Sequence, residues 1–233
     1  MVKTLKNTEN IANKNRVVSN LSIISEELKS DSIKERQFKQ EESTYWNEEI
    51  KSCSLGYKIA IQVLLENPII FSNPLLQDEE KQITFEDCLI KNTDLNRLND
   101  YKKTDEETAS PTLQQLWNKS SKVLLAFYIA AQTLFEQKKF IEAHHVFTFL
   151  TILNQNIASF WIGRASANES MENWDKALGN YWMAQSINQN DVSAYQGLIR
   201  IYKKLKNEVS LEYCFKVIEK FPDVKKQLII RSK

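Results

Sequence analysis

The chain has 233 residues, of which only four are glycine and four proline, a scarcity well below the roughly 12% of ordinary usage. Turn-rich sandwiches and phosphate-cradling loops spend glycine at fixed places, and neither G-x-G-x-x-G nor G-x-x-x-x-G-K-[ST] occurs, so dinucleotide and P-loop chemistries are excluded and helix is favoured. With 31 Lys and Arg against 30 Asp and Glu, the net charge of +1 gives no overall field to draw in nucleic acid or a membrane surface.

Residues 1–42 are polar, with one apolar cluster at Val17, Val18, Leu21, Ile23 and Ile24, and read as a flexible tail with room for one short helix. From Trp46 the pattern changes. Trp46, Ile50, Cys53, Tyr57, Ala60 and Leu64 follow spacings of three and four, a seam on one helical face, closed by Pro68 and Pro74. It packs either on the chain's own core, the favoured reading, or on a second copy. Between Gln77 and Glu107, ten acidic residues face five basic ones, which reads as a linker with one helix over Phe85 to Tyr101. Residues 43–107 thus form an N-terminal helical region and acidic linker. Thr108-Ala-Ser-Pro111 punctuates the chain, with Pro111 suited to a first helical turn, and 108–233 is read as the main domain.

Beyond Pro111 the chain repeats every 34 residues. Aligning Ala143, Ala177 and Leu211 brings Phe127/Trp161/Tyr195, Ala131/Ala165/Ile199, Phe147/Tyr181/Phe215, Leu150/Ala184/Ile218 and Leu153/Ile187/Phe221 into register. Such a period, with an aromatic-x-Gly opening and a later A-x-x-x-F, resembles the tetratricopeptide repeat, in which helix pairs bury their faces by stacking on neighbours. The expected fold is all-α: three tetratricopeptide helix pairs forming a short α-solenoid with a concave groove, preceded by extra N-terminal helices. Asn156 and Asn190 stand where N-caps are needed. Gly163 and Gly197 sit where a missing side chain permits close helix contact. The third unit departs from the pattern at Leu211 and Glu208, and only Lys225 to Lys233 follow it, so a capping helix is short or missing and the last edge is a candidate partner surface.

No catalytic constellation is present, and an enzyme is not expected. His144 and His145 are adjacent on a predicted helix, pointing about 100° apart, with no further His or clustered Cys to complete a metal site or nucleophile set. No cofactor and no metal are expected. Cys53, Cys88 and Cys214 fall in no C-x-x-C spacing and read as buried thiols of a reducing compartment. The first residues lack the apolar stretch of a signal peptide, and the longest apolar run, Val123 to Ala131, is half a membrane span. A cytoplasmic protein without membrane insertion follows. The C-terminal segment from Arg200 carries ten Lys and Arg against four acids, but aromatic interleaving is thin and nucleic acid is disfavoured as a partner.

In tetratricopeptide repeats the concave groove is lined at the second, fifth, ninth and twelfth positions of each unit. By resemblance these are Leu125, Tyr128, Gln132 and Phe135, then Ser159, Ile162, Ser166 and Glu169, then Ser193, Gln196, Arg200 and Lys203. The first third is apolar and aromatic where the core is already supplied, which points to a ligand unless the N-terminal helices cover it. Receptors for heat-shock chaperone tails need a different residue set, of which only Arg200 is present. The stretches Phe140-Ile-Glu-Ala-His-His-Val-Phe147, Phe160-Trp-Ile-Gly163 and Trp174-Asp-Lys-Ala-Leu178, led by Thr112-Leu-Gln-Gln-Leu-Trp117, are similar to the class II (translocator) chaperones of type III secretion systems over roughly residues 112–222. The resemblance implies a bacterial cytosolic chaperone that holds extended segments of hydrophobic translocator or effector proteins before export. In it Tyr128 and Phe135 would wall the groove and Gln132 would hydrogen-bond the peptide backbone, with a homodimer through the N-terminal helices. The alternative is a repeat scaffold or adaptor for an unrelated protein.

Overall fold

The computed structural model describes residues 33–76, 83–91, 94 and 111–231, and every described element is helical. The apolar cluster at 17–24, most of the acidic run and the linker end at 108–110 lie outside the described residues, as do the side chains of Trp46, Ile229 and Ile230. Among the described residues no helix is long and apolar enough to cross a membrane. The chain divides into two compact units, Met1–Ala130 and Ala131–Lys233.

In the first unit, α1 spans Ile33–Glu66, beginning inside the segment expected to be tail. Its seam packs on the unit's own core: Cys53, Ala60 and Leu64 are buried, the Tyr57 hydroxyl accepts the Ile90 N–H at 3.0 Å, and its ring meets Phe127 edge-on at 6.4 Å. Asn67 leaves the helix, and the two prolines open 3-10 turns at Pro68–Ser72 and Pro74–Leu76, which fits a residue without an N–H to donate. The helix predicted from Phe85 is α2, Phe85–Cys88, held by a capping box between Thr84 and Asp87 and ended by an extended Leu89; residues 95–101 of the predicted span lie outside the described residues. Lys119, nearly buried, ties this segment down, pairing with Asp94 at 3.0 Å and donating to the Leu89 carbonyl at 2.6 Å. The short α3, Leu113–Leu116, is capped by Thr112 and Gln115, so Pro111 stands just outside the helix rather than in its first turn.

The remaining helices keep the 34-residue register. After α4 (Ser121–Glu136) come α5 (Phe140–Leu153), α6 (Ala158–Ser170), α7 (Trp174–Ile187), α8 (Val192–Lys204) and α9 (Glu208–Ile218). Helices α5, α7 and α9 begin 34 residues apart, as do α6 and α8. From α5 to α9 each helix packs on its sequence neighbour, and α6 also meets α8, the stacking that defines a helical-repeat solenoid.

Glycine scarcity has a backbone consequence at the turns. Lys138, Glu172 and Lys206 carry φ of 61°, 60° and 54°, one in each helix pair and 34 residues apart. The N–H of each donates three residues back, and the next N–H donates five back, from Lys139 to Leu134, Asn173 to Asn168 and Asn207 to Tyr202. This is the Schellman closure, which glycine usually supplies. A non-glycine residue there pays steric strain of about 1–2 kcal/mol, partly offset because glycine would gain chain entropy on unfolding. Lys138→Gly or Lys206→Gly is therefore expected to raise stability by about 0.5–1 kcal/mol, read as an upward shift in urea midpoint.

Between pairs the asparagines act differently from expectation. Asn156 and Asn190 are not N-caps: their N–H groups donate to the Oδ1 of Asn154 and Asn188 at 3.0 and 3.2 Å, an Asx turn. The cap positions are Ile157, without a side-chain bond, and Asp191, which accepts the Ser193 N–H.

Most aligned columns form the core. Phe127, Tyr195, Ala131, Ala165, Ala143, Ala177, Phe147, Tyr181, Leu150, Ala184, Ile218 and Leu153 are buried, whereas Phe215 is 44% exposed. The reason lies in the next helix. A Cβ at Gly163 would run into the ring of Phe147, and one at Gly197 into the ring of Tyr181, so each glycine is the socket for the aromatic residue before it. Phe215 has no such socket after it. The chain does not stop bare, however: α10 (Pro222–Arg231) buries Val224 and packs Leu228 against Tyr195 and its neighbours. The capping helix is thus short rather than missing, and Val209, Tyr213 and Phe215 on α9 stay exposed beside it.

Candidate functional site

The positions that the resemblance predicts to line a groove share, within the second unit, one face of each first helix. Ile162, Ser166 and Glu169 recur at i, i+4 and i+7 on α6, and Gln196, Arg200 and Lys203 do the same on α8, so each trio shares a face. Gln132 is exposed and Phe135 half-buried on α4. Phe135 lays its ring edge-on to Phe140 at 5.2 Å. Ile162 is half-buried and leans on the core cluster containing Ala165 and Tyr181. Ser159 and Gln196 are half-buried, while Ser193 and Lys203 are exposed. Leu125 and Tyr128, half-buried, lie on the part of α4 that belongs to the first unit.

Two of these positions, Glu169 and Arg200, are joined directly, and Ser166 is linked to them through Tyr181. The Arg200 guanidinium grips Glu169 with two bonds, Nε to Oε1 at 2.6 Å and Nη2 to Oε2 at 2.7 Å. Tyr181, a core residue of α7 in the Phe147/Tyr181/Phe215 packing column, sends its hydroxyl to the same place. It donates to Glu169 Oε2 at 2.7 Å, accepts from Arg200 Nη2 at 3.3 Å and meets Ser166 Oγ at 3.2 Å. The equivalent residue one repeat earlier is Phe147, which has no hydroxyl to offer. The sequence carried one signal for it, a tyrosine in a phenylalanine column; its partners Glu169 and Arg200 lie 12 and 19 residues away on the neighbouring helices.

Electrostatics follow from this arrangement. Burial raises the Glu169 carboxyl, but hydrogen bonds from Arg200 and Tyr181 outweigh it and leave the group below its ordinary value. Arg200 is held still more firmly protonated, first by the bond to Glu169. Burial pushes the Tyr181 phenol upward. At neutral pH the cluster is an ionised, hydrogen-bonded pair with a neutral tyrosine between its partners. It offers no nucleophile and no proton near its transfer point.

The two histidines sit elsewhere, at the packing surface of α5 on α6. His144 Nδ1 meets Asn168 Nδ2 at 3.2 Å, and Asn168 also donates to the Arg164 carbonyl. Burial above all, with the nearby Arg164, His145 and Lys176 charges, pushes His144 down to about 3; burial also lowers His145. Among the described residues no group of three His, Cys, Asp or Glu side chains could hold a metal ion.

A 34-residue register shared by helix starts, turn backbones and glycine sockets defines a helical-repeat fold, a solenoid like that of tetratricopeptide repeats. No protein-family model matches the chain, and no curated protein matches it. In solved structures it is similar to the type III secretion translocator chaperone SycD of Yersinia enterocolitica, at 20% identity and TM-score 0.45, over 51% of this chain and 92% of that one. It is also similar to a chain of the CopN-Scc3 complex, at 16% identity and TM-score 0.47, over 72% of this chain and 98% of that one.

Proposed function

We propose that the protein is a cytoplasmic type III secretion chaperone that takes extended segments of hydrophobic translocator or effector proteins into the concave face of its repeats before export. The observation that carries this reading is the motif series Phe140 to Phe147, Phe160 to Gly163 and Trp174 to Leu178, set on α5, α6 and α7 at the repeat period. The chemistry of the face agrees with it. Large apolar groups at Leu125, Tyr128 and Phe135 recur along α4 at spacings of three and seven, outside the buried set of Phe127, Ala131 and Leu134. Rigid aromatic walls bind at low entropy cost. Gln132, exposed among them, suits hydrogen bonding to an extended backbone. Because the α1 seam is buried within its own unit, association of two copies through α1 would use its other side, where Leu55 and Leu65 are exposed.

The test is retention of a co-expressed hydrophobic translocator. Tyr128→Ala with Phe135→Ala is expected to abolish co-purification while the far-ultraviolet circular dichroism stays helical. Cargo retained at wild-type yield would sink the groove reading. Mass spectrometry of partners captured by the unaltered chain separates the chaperone from a general scaffold: the former brings down secreted hydrophobic proteins and the latter does not.

A further inference from the structure

The concave face of the second unit is not uniform. Phe135 on Phe140 and the half-buried Ile162 make one part apolar. The part on α8 is built around a charge pair of unequal exposure: the Glu169 side chain is 18% exposed and Arg200 58%. The negative partner is sunk and the positive partner faces solvent, so what a ligand meets first is a guanidinium. Nη1 of Arg200 makes no hydrogen bond among the described residues, since Nε and Nη2 serve Glu169 and Tyr181. Lys203, three residues on and on the same face, is exposed with no ion-pair partner among the described residues. Lys204 is spent differently, on Glu172 at 3.3 Å and on the Trp174 ring at 4.3 Å.

We infer that this part of the face receives acidic side chains, so that the segment it takes is an extended peptide with an apolar anchor flanked by Asp or Glu. The inference rests on the groove reading and specifies its ligand. Charge complementarity carries it, and preorganisation strengthens it. A guanidinium already fixed by Glu169 and Tyr181 loses little freedom when a carboxylate arrives, and its planar edge suits that partner. Packed helices stand about 9 Å apart and an extended chain rises about 3.3 Å per residue. The acids therefore belong about three residues from the anchor that reaches α6.

The experiment uses the full chain and fluorescein-labelled, end-capped peptides of proline and leucine anchors in a Ser/Ala background. One carries Glu-Asp-Glu three residues after the last anchor, one carries it before the first anchor, and one carries Gln-Asn-Gln. By fluorescence anisotropy at low salt, one of the acidic peptides is expected to bind at least fivefold tighter than the amide peptide, with the gap closing as NaCl rises. In Arg200→Gln/Lys203→Gln the discrimination is lost. Should that variant misfold, Lys203→Glu and the salt series on the unaltered chain read the same quantity. Equal binding of acidic and amide peptides overturns the inference and leaves the groove reading standing. Failure of all three peptides to bind overturns both.

Discussion

Gly197→Ala and Gly163→Ala each lower stability by about 1–3 kcal/mol, whereas Gly179→Ala raises it by up to about 1 kcal/mol. All three glycines lie inside helices, so intrinsic propensity alone favours alanine at each by up to about 1 kcal/mol. Packing decides the sign. A Cβ at Gly163 or Gly197 enters the ring of Phe147 or Tyr181, while one at Gly179 meets nothing within 4 Å. Those rings cannot swing away, since Phe147 and Tyr181 are 2% and 1% exposed, and overpacking a closed core outweighs the propensity gain. Gly197→Ala is expected to be the worse of the two, because moving Tyr181 also pulls its hydroxyl from Glu169 and Arg200. Thermal unfolding of the three single variants checks the order, and a stabilised Gly197→Ala would contradict the socket geometry.

Acidification from pH 7 to pH 5 is expected to cost about 1–2 kcal/mol through His144, allowing for its residual contact with water. The folded imidazole titrates near 3, against about 6.5 in the unfolded chain. Between those values the unfolded state binds a proton that the folded state refuses, so stability is full above 6.5 and falls as pH drops toward 3. His145, lowered in the same direction, adds to the slope. Glu169 is lowered beneath the ordinary 4.5 of a carboxyl, so its contribution is still intact at pH 5 and is lost only below that. Urea midpoints at pH 7.5, 6 and 5 measure the effect. His144→Leu should flatten the profile while lowering stability at neutral pH, where it breaks the contact with Asn168; an unchanged slope would mean that His144 is not the group responsible.

The repeat was legible because stacking imposes the same burial on every copy. Phe127, Ala143, Ala177 and Tyr195 stand in columns, and a period survives even where individual residues vary. The α1 seam was legible as a stripe, but whether Cys53, Ala60 and Leu64 faced the chain's own core or another copy could not be read from spacing. Tyr57 bonding to Ile90, 33 residues on, decided it. Cap positions were misplaced by one residue because Asn156 and Asn190 bond backwards, through their N–H groups, to asparagines that themselves end the helices.

The scarcity of glycine and proline by itself determined that the chain is helical, and the 34-residue columns determined which helices pair, because both follow from local backbone preference and from a burial pattern written along the chain. Gly163 and Gly197 were marked by the register as close-contact positions, but only the tertiary structure decided that what each admits is an aromatic ring, that of Phe147 or Tyr181, while the left-handed turn positions fall to Lys138, Glu172 and Lys206. Only the fold, likewise, brought a core tyrosine's hydroxyl to the face shared by α6 and α8 and left the Glu169 carboxylate less exposed than Arg200. Such partners lie 12 and 31 residues apart in sequence, and the sign of charge a ligand meets depends on which of them is covered.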